Sequence, residues 1–279
     1  MRIALIADVH SNVIALEAVM KAIRRHGPDR IISLGDQVNL GPCPRETLSL
    51  LKAENVTCLH GNHERYILSA MAGDPAYAGA NFSALRFNAA LLTPQEITFP
   101  EKIEMGGITF CHAMPGDDRF PVFDPILAFN KLRNMHFDRP THIICGHGHN
   151  PSHIRSGLLT IDSIGSLGCM DDGVPGTAPY AILTLANGHA MLRPYYAAYN
   201  TALIKDTFVS SGMAQYCPIM AHIVCHQMMY NQDVIVPFVE RAISLSKSRG
   251  ESIISKSTWS EADASFDWPD GTSTKDYWK

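Results

Sequence analysis

The sequence lacks several features that would place the protein in a membrane or outside the cell. No stretch of its 279 residues approaches the ~20 consecutive apolar residues that a membrane-spanning helix needs. The opening residues, MRIALIADVHSN, contain one arginine and an apolar run that is too short for a signal peptide. The seven cysteines are odd in number and have no CxxC spacing, which fits reduced thiols better than a disulfide framework. We therefore expect a soluble, cytoplasmic protein with no membrane partner.

An excess of positive charge is also absent. Lysine and arginine together number 23, and aspartate and glutamate number 27, so the formal net charge is −4. Because nonspecific binding to duplex nucleic acid rests on basic side chains that neutralise phosphates, we expect no duplex nucleic acid partner. The hydrophobic content of 46% is typical of a globular protein, and the length suits one large domain or one domain with an appendage.

Short apolar runs alternate with helical patterns in the first half of the chain, which is typical of βαβ units. We predict strands over 2–7, 30–34 and 55–60, each followed by a helix. A Gly106-Gly107 turn predicts a hairpin, and strand-like runs separated by glycine-rich or Asn-Gly turns fill much of 141–196. The predicted fold class is α/β, a four-layer α/β/β/α sandwich of two mixed sheets flanked by helices.

The composition changes after about Tyr196, and we predict a boundary there between two domains. The first covers 1–197, and a helical C-terminal extension with an irregular tail covers 198–279. The extension is expected to shape the mouth of the site or to form a subunit contact. Assembly of a homo-oligomer through these helices is therefore one of the alternatives. Beyond the βαβ units, helices are predicted over 81–99, 124–136, 200–212, 218–230 and 234–248.

Polar side chains follow five of the predicted strands at or just beyond their carboxyl ends. In chain order they are Asp8, His10, Asp36, Asn62, His63, His112, His147 and His149. Ligands of open α/β sheets gather outside the carboxyl ends of the strands. A lone histidine at such a place is usually structural, but five strand ends in succession predict one shared site. Carboxylate oxygens mixed with imidazole nitrogens suit manganese, iron or zinc better than calcium or magnesium alone.

The motifs DVH, GDQV, GNHE and GHGH, with His112 between the last two, resemble those of the calcineurin-like metallophosphoesterase superfamily. The resemblance runs from residue 1 to about 195, and DSIGSLG looks like a loop of its small bacterial phosphodiesterase-like branch. It implies a two-sheet sandwich with a dinuclear metal centre. It also implies a metal-dependent phosphoesterase that hydrolyses phosphodiesters or small phosphorylated metabolites, with nucleotides among the candidate substrates.

The resemblance also assigns the site residues to two divalent ions, which Asp36 bridges together with a hydroxide nucleophile. It implies that one ion is bound by Asp8, His10, Asp36 and His149. It implies that the other is bound by Asp36, Asn62, His112 and His147. Manganese is the first expectation for the metal, with iron, zinc and nickel as alternatives. His63 is not a ligand in this family, and its implied role is catalytic: it protonates the leaving oxygen or stabilises phosphoryl charge.

One departure from the family pattern narrows the function. Ser/Thr protein phosphatases of the superfamily read GDxVDRG where this chain reads GDQVNLG, so Asn39 replaces an aspartate that pairs with the catalytic histidine. This argues against a protein phosphatase and leaves the orienting partner of His63 open. Two other hypotheses are a catalytically weak scaffold of the same fold, which loss of His63 would favour, and a nuclease, which the missing basic stripe disfavours.

Other histidines and arginines are weaker candidates. His222 and His226 have an i, i+4 spacing that can bind zinc, but a third ligand is not apparent and we predict packing instead. Four other residues lie near the matched motifs and could contact substrate: Arg45, His60, Arg65 and His153. The alternative is a hydrogen-bonding role for the two histidines and a solvated surface position for the two arginines.

Overall fold

The computed structural model describes residues 1–132 and 135–279, and strand β1 (Arg2–Ile6) illustrates how the sequence builds it. Because successive side chains of a strand point to opposite faces, Ile3 and Leu5 pack between two five-stranded sheets. Ala4 and Ile6 pack on the other face, against helix α1 (Val13–His26). The predicted sandwich of two mixed sheets flanked by helices is confirmed.

The first sheet carries the amino-terminal strands. Its spatial order is β10 (His189–Ala198), β9 (Thr177–Ala186), β1, β2 (Arg30–Ser33) and β3 (Thr57–Cys58). Strands β1, β2 and β3 are parallel, whereas β9 is antiparallel to both of its neighbours. The β9–β10 hairpin turns at Asn187 and Gly188, which both have the positive φ that a tight two-residue turn requires.

The second sheet has a parallel centre and antiparallel edges. Its spatial order is β4 (Lys102–Met105), β5 (Ile108–Cys111), β6 (Thr141–Cys145), β8 (Leu159–Ser163) and β7 (Ser152–Ser156). Strands β5, β6 and β8 are parallel, and β4 and β7 pair with their neighbours in the opposite direction. The predicted hairpin at Gly106-Gly107 joins β4 to β5.

The helices before the C-terminal segment are α1, α2 (Pro44–Ala53), α3 (Asn62–Met71), α4 (Ser83–Leu91) and α5 (Pro125–Leu132). The predicted helix over 81–99 is wrong beyond α4, because a proline at position 94 cannot continue the backbone hydrogen bonds of a helix and a 3₁₀ turn follows there. The prediction over 124–136 is met by α5 up to Leu132; residues 133 and 134 lie outside the described residues, and residues 135 and 136 are not helical.

The C-terminal segment is helical. Its helices are α6 (Ile204–Ser210), α7 (Met213–Tyr216), α8 (Pro218–Tyr230), α9 (Ile235–Ser248), α10 (Lys256–Ala264) and α11 (Thr274–Tyr277). The predicted helices over 218–230 and 234–248 are confirmed, and a 3₁₀ turn followed by α6 lies where 200–212 was predicted. The division of the chain at residue 197 stays a prediction.

Helix α8 is buried along most of its length at the centre of an apolar cluster. Trp259 of α10, Trp268 and Tyr277 of α11 are buried in the same cluster, together with Phe87 of α4. A helix that is apolar all round needs such a surrounding layer, so α8 organises the C-terminal helices. Within the described ranges, no helix is both long and apolar enough to span a bilayer.

Asn231, directly after α8, connects the C-terminal helices to the segment between β8 and β9. Its buried side chain donates hydrogen bonds to the carbonyl oxygens of Val174 and Thr177, each at 2.9 Å. Its own carbonyl accepts from the Gly173 N–H at 2.7 Å. The backbone of Asn231 is left-handed, a conformation that asparagine tolerates better than most residues. These contacts fix the 173–177 segment against α8.

We predict that Asn231→Ala lowers the free energy of unfolding by about 1–3 kcal/mol, because the side-chain hydrogen bonds to Val174 and Thr177 and the one from the Tyr199 hydroxyl are lost. Urea unfolding of both proteins measures the difference. Asn187→Ala is the matched control, since Asn187 also has a positive φ but forms no side-chain hydrogen bond within the described part of the chain. Equal losses in the two variants would attribute the effect to the backbone alone.

Candidate metal centre

The carboxyl ends of parallel strands from both sheets meet at one edge of the sandwich, and loops leaving them carry the predicted site residues. Asp8 and His10 follow β1, Asp36 follows β2, Asn62 and His63 open α3, His112 follows β5, and His147 and His149 follow β6. A hydrogen bond from the His147 N–H to the Asp8 carboxylate, at 2.9 Å, joins the loops of the two sheets.

Seven of these side chains fall into three overlapping groups whose candidate ligand atoms lie within 4.8 Å of one another. The groups are Asp8, His10 and His149; His10, Asp36 and His63; and Asp36, His112 and His147. The eighth, Asn62, places its Oδ1 2.8 Å from Nε2 of His112. The structure therefore brings all the predicted site residues together, and Asp36 belongs to two groups. Their assignment to individual ions stays a prediction.

The family resemblance implies that His63 is not a metal ligand, but His63 lies close to the predicted ligands. Its Nε2 lies 3.9 Å from Oδ2 of Asp36, and its ring centroid lies 4.7 Å from that of His10. Its side chain is 19% exposed, whereas those of Asp36 and His10 are buried. Distance alone does not distinguish a ligand from a catalytic residue here, but the exposed edge of the ring favours contact with a substrate.

The loops that carry these residues have unusual backbone conformations. Asp8, His10, Asp36 and His147 all have φ between 50° and 62°, a region that costs non-glycine residues of order 1–3 kcal/mol each. Glycine is required at Gly146, where a Cβ would lie 2.5 Å from Oδ2 of Asp8. The surrounding sandwich holds the loops in strained conformations that direct their side chains toward one another.

Burial controls the ionisation of these groups. It raises the pKa of Asp8 well above its usual value, lowers that of His10 well below it, and lowers the pKa of His147 to about 3. Burial also opposes the charges of Asp36 and His112, but their mutual attraction at 3.3 Å outweighs it. The pKa of Asp36 is thereby held well below its usual range, and that of His112 is raised to about 10.

The donor set fits divalent metal ions. Both ring nitrogens of His10 are buried and have no hydrogen-bond partner in the described residues, which is rare for a buried polar atom. Asp8 and Asp36 are buried carboxylates, and the described ion pairs join them to histidines and to no lysine or arginine. Carboxylate, amide and imidazole groups together match the preferences of manganese, iron and zinc. Two cations would give His10 a partner and balance both carboxylates.

Asn39 is the orienting partner of His63 that the sequence left open. Its Nδ2 lies 2.7 Å from Nδ1 of His63. Asn39 is held in turn by the buried side chain of Asn88, which accepts from the Asn39 backbone N–H and from the Ser11 hydroxyl. Asn88 also donates to the Gly41 carbonyl, so one side chain of α4 fixes the loops after β1 and β2. Sequence analysis missed Asn88, which lies far from every motif.

Glu64 supports the site through hydrogen bonds from the backbone of two loops. Its buried carboxylate accepts backbone N–H groups of Asp36 at 2.9 Å, Gln37 at 2.8 Å, Val38 at 3.3 Å and Gly61 at 2.8 Å. Burial and the charge of Asp36 raise the pKa of Glu64 to about 7, although the N–H groups oppose that rise. The motif GNHE contains Glu64, but no sequence pattern indicates that this residue joins the loop after β2 to the start of α3.

A cavity of about 410 Å³ adjoins the site beside His112. Basic and acidic side chains line it together: His60, Arg65, Lys102, Glu101, Asp117 and Asp118. Arg65 forms two 2.8 Å hydrogen bonds with Asp118, and Lys102 forms one of 2.8 Å with Glu104. Apolar residues, among them Cys111 and Met114, complete the lining, and the positive charges of Arg65 and Lys102 are paired to carboxylates.

The zinc spacing of His222 and His226 does not make a metal site in the described residues. His222 stacks between Trp268 and Tyr277, with ring centroids 3.7 Å and 3.9 Å apart, and its Nδ1 lies 2.9 Å from Oγ1 of Thr274. The packing prediction is confirmed for His222, and the ring centroid of His226 lies 4.6 Å from that of Tyr230.

Two further candidates have structural partners. Nδ1 of His153 lies 2.6 Å from the Asp162 carboxylate, and Nε of Arg45 donates to the Leu91 carbonyl at 2.6 Å. Each contact holds its side chain in a structural role, and neither residue belongs to the ligand groups described above.

The model of the calcineurin-like phosphoesterase family matches residues 1–175. The chain belongs to this family. The matched range contains every residue of the candidate centre, and it confirms the resemblance drawn from the sequence motifs. Calcineurin-like phosphoesterases are phosphoester hydrolases with dinuclear metal centres, in agreement with the donor groups described above.

Three similar proteins extend the comparison. The uncharacterized protein MJ0912 of Methanocaldococcus jannaschii is 28% identical over 162 residues. These residues are 53% of this chain and 63% of MJ0912, so the chain spans less than two thirds of this relative. A metallophosphoesterase from Sphaerobacter thermophilus is 27% identical with a TM-score of 0.60, covering 76% of this chain and 95% of the other. The hypothetical protein PH1004 from Pyrococcus horikoshii OT3, at 14% identity, shares the fold with a TM-score of 0.62 over 84% of this chain and 99% of its own.

We predict that Glu64→Gln lowers the free energy of unfolding by about 1–3 kcal/mol, because the amide nitrogen would face backbone N–H donors that the carboxylate accepts. Metal binding should weaken as well, since Asp36 and α3 lose their common support. Urea unfolding and calorimetric titration of chelator-stripped protein with Mn²⁺ measure the two effects. Glu17→Gln, on the exposed face of α1, is the control. A Glu64 variant that matches the wild type in both measurements would remove this residue from the support of the site.

We also predict two transition-metal ions per chain in protein purified without chelator. Asp36→Asn should weaken both ions, because the charge that belongs to two ligand groups is lost. Asp8→Asn should mainly weaken one ion, because Asp8 belongs to a single group. Elemental analysis and calorimetric titration measure the stoichiometry and affinities. Saturation of well-folded wild-type protein at one ion would contradict the dinuclear assignment.

Proposed function

We propose that the protein hydrolyses phosphodiesters or small phosphorylated metabolites, with nucleotides among them, in a metal-dependent reaction. The observation that carries this proposal is the position of His63. Its ring lies beside Asp36, keeps a solvent-exposed edge and is oriented by Asn39. A proton donor for the leaving oxygen of a phosphoester needs this combination of access and fixed orientation.

The chain's own residues prepare the site for this chemistry. When bound, two divalent ions supply an acidified water and an electrostatic clamp on the phosphoryl oxygens. The backbone N–H groups of His147 and His63 hold the carboxylates of Asp8 and Asp36 in fixed orientations, at 2.9 Å and 2.8 Å. The His63 ring then delivers a proton to the leaving oxygen, while Asn39 keeps the ring in place.

The charges around the cavity favour a phosphodiester over a phosphomonoester. A monoester carries up to two negative charges at neutral pH, and proteins commonly bind such a group with free arginine side chains. Here Arg65 is engaged by Asp118 and Lys102 by Glu104. A diester, with a single charge, requires less additional positive charge beyond the metal ions. This balance supports the diester as the preferred substrate.

We predict that His63→Gln retains both metal ions but lowers kcat by about 10²–10⁴-fold, the usual effect of losing a general acid or base. The loss should be greater for an ester with an alkoxide leaving group than for a nitrophenyl ester, since nitrophenolate departs without a proton. Metal content and kcat for both esters measure this, with His153→Gln as the surface control.

The possible results separate the roles of His63. Equal losses on both esters would indicate stabilisation of phosphoryl charge instead of proton donation. Loss of an ion would make His63 a ligand, which its distances to Asp36 and His10 allow. Full activity of the variant on both esters would contradict a catalytic role, and an inactive wild type with both ions bound would favour the scaffold hypothesis.

A further inference from the structure

Helix α5 and the residues before it expose large apolar side chains. Four of them form what we call the apolar rim: Phe123, Ile126, Leu127 and Phe129, which are 62%, 77%, 45% and 54% exposed. On the other side of α5, Ala128 and Leu132 are buried in the core that covers the second sheet. The helix is thus anchored to the fold while its rim faces solvent. Clustered apolar exposure of this kind marks binding surfaces, whereas single exposed apolar residues do not.

The apolar rim begins at the candidate metal centre. The ring of Phe123 lies edge-on to that of His147, with centroids 5.7 Å apart. His147 shares a ligand group with Asp36 and His112, and His112 lines the cavity that also holds Arg65 and Asp118. Two different surfaces therefore border the centre: the cavity, which carries charged side chains, and the apolar rim, which carries none. A diester has two substituents on its phosphorus, and these borders suit one polar and one apolar substituent.

We propose that the apolar rim binds the alkyl chain of an amphiphilic phosphodiester whose phosphate lies at the metal centre. This inference rests on the proposed phosphoesterase function and adds the substrate class. The eight residues of α5 extend about 12 Å, which is longer than one aromatic ring. Ile126 and Leu127 offer aliphatic contacts along that length. A flexible chain leaving the phosphate beside Phe123 reaches Phe129, whereas a single aromatic substituent contacts only the first part of the rim.

The test is a series of p-nitrophenyl alkyl phosphates with methyl, butyl and octyl chains, assayed with the manganese-loaded full chain below micellar concentrations. In each reaction a water oxygen bonds to phosphorus and the bond to nitrophenolate breaks, so the leaving group is constant and only the retained alkyl group varies. We expect kcat/KM to rise about twofold for each methylene that contacts the rim, and more than tenfold from methyl to octyl.

Variants locate the effect. In the double variant Ile126→Ser/Phe129→Ser, the ratio of octyl to methyl kcat/KM should fall toward one. Val209→Ser is the matched control, because Val209 is 56% exposed on α6 and lies outside the rim, so its ratio should equal that of the wild type. Equal losses of the ratio in both variants would overturn the assignment to the rim.

Other results overturn the inference in distinguishable ways. Wild-type hydrolysis of all three esters with the same kcat/KM would refute alkyl binding and leave the proposed function standing. Failure to hydrolyse any of them with both metals bound would contradict the proposed phosphodiesterase activity, and the inference with it. Sedimentation velocity gives the oligomeric state. A wild-type oligomer that the double variant converts to monomers would show that the rim is covered by a second copy of the chain.

Discussion

The candidate metal centre depends on the backbone hydrogen bonds that the buried carboxylate of Glu64 accepts. The candidate ligands lie on loops that leave separate strands, and backbone hydrogen bonds, such as that from the His10 N–H to the Asp36 carbonyl, join the loops after β1 and β2. Glu64 accepts N–H groups from Asp36 and Gln37 after β2 and from Gly61 before α3. One side chain thus joins two loops into a single support. Burial of its charge carries a desolvation cost, visible in its raised pKa, and the surrounding N–H dipoles offset that cost.

Several features of the candidate centre would be unfavourable in an isolated chain. Asp8, His10 and Asp36 have left-handed backbones, the ring nitrogens of His10 have no described partner, and two carboxylates are buried. Each feature destabilises the fold locally, and the apolar core between the sheets supplies the compensating stability. Because divalent cations would satisfy the ring and the carboxylates at once, metal binding would also stabilise these loops.

Structural features that follow from a local sequence pattern could be predicted from the sequence. Features that depend on contacts between residues far apart in the chain could not. The alternation of β1 and the polar motifs at strand ends are local, so the sandwich and the clustered site residues could be predicted. Asn88 and Glu64 act through partners 49 and 27 residues away, and no spacing rule indicates such pairs. Helices α10 and α11 are short and are stabilised by burial of Trp259 and Tyr277 in a shared cluster, so their own periodicity is weak. Helix α4 ends earlier than predicted, because Pro94 cannot continue the backbone hydrogen bonds of a helix.

Asn39 gives His63 an uncharged partner, and this determines when the ring carries a proton. Burial lowers the pKa of His63, and the charge of Asp36 only partly opposes that effect. A carboxylate at position 39 would stabilise the protonated ring whether or not a substrate was present. An amide orients the ring without adding charge, so the remaining stabilisation has to come from an anion that enters the site. In the proposed reaction the phosphate of a bound ester would be such an anion, and protonation of His63 would then be linked to substrate binding.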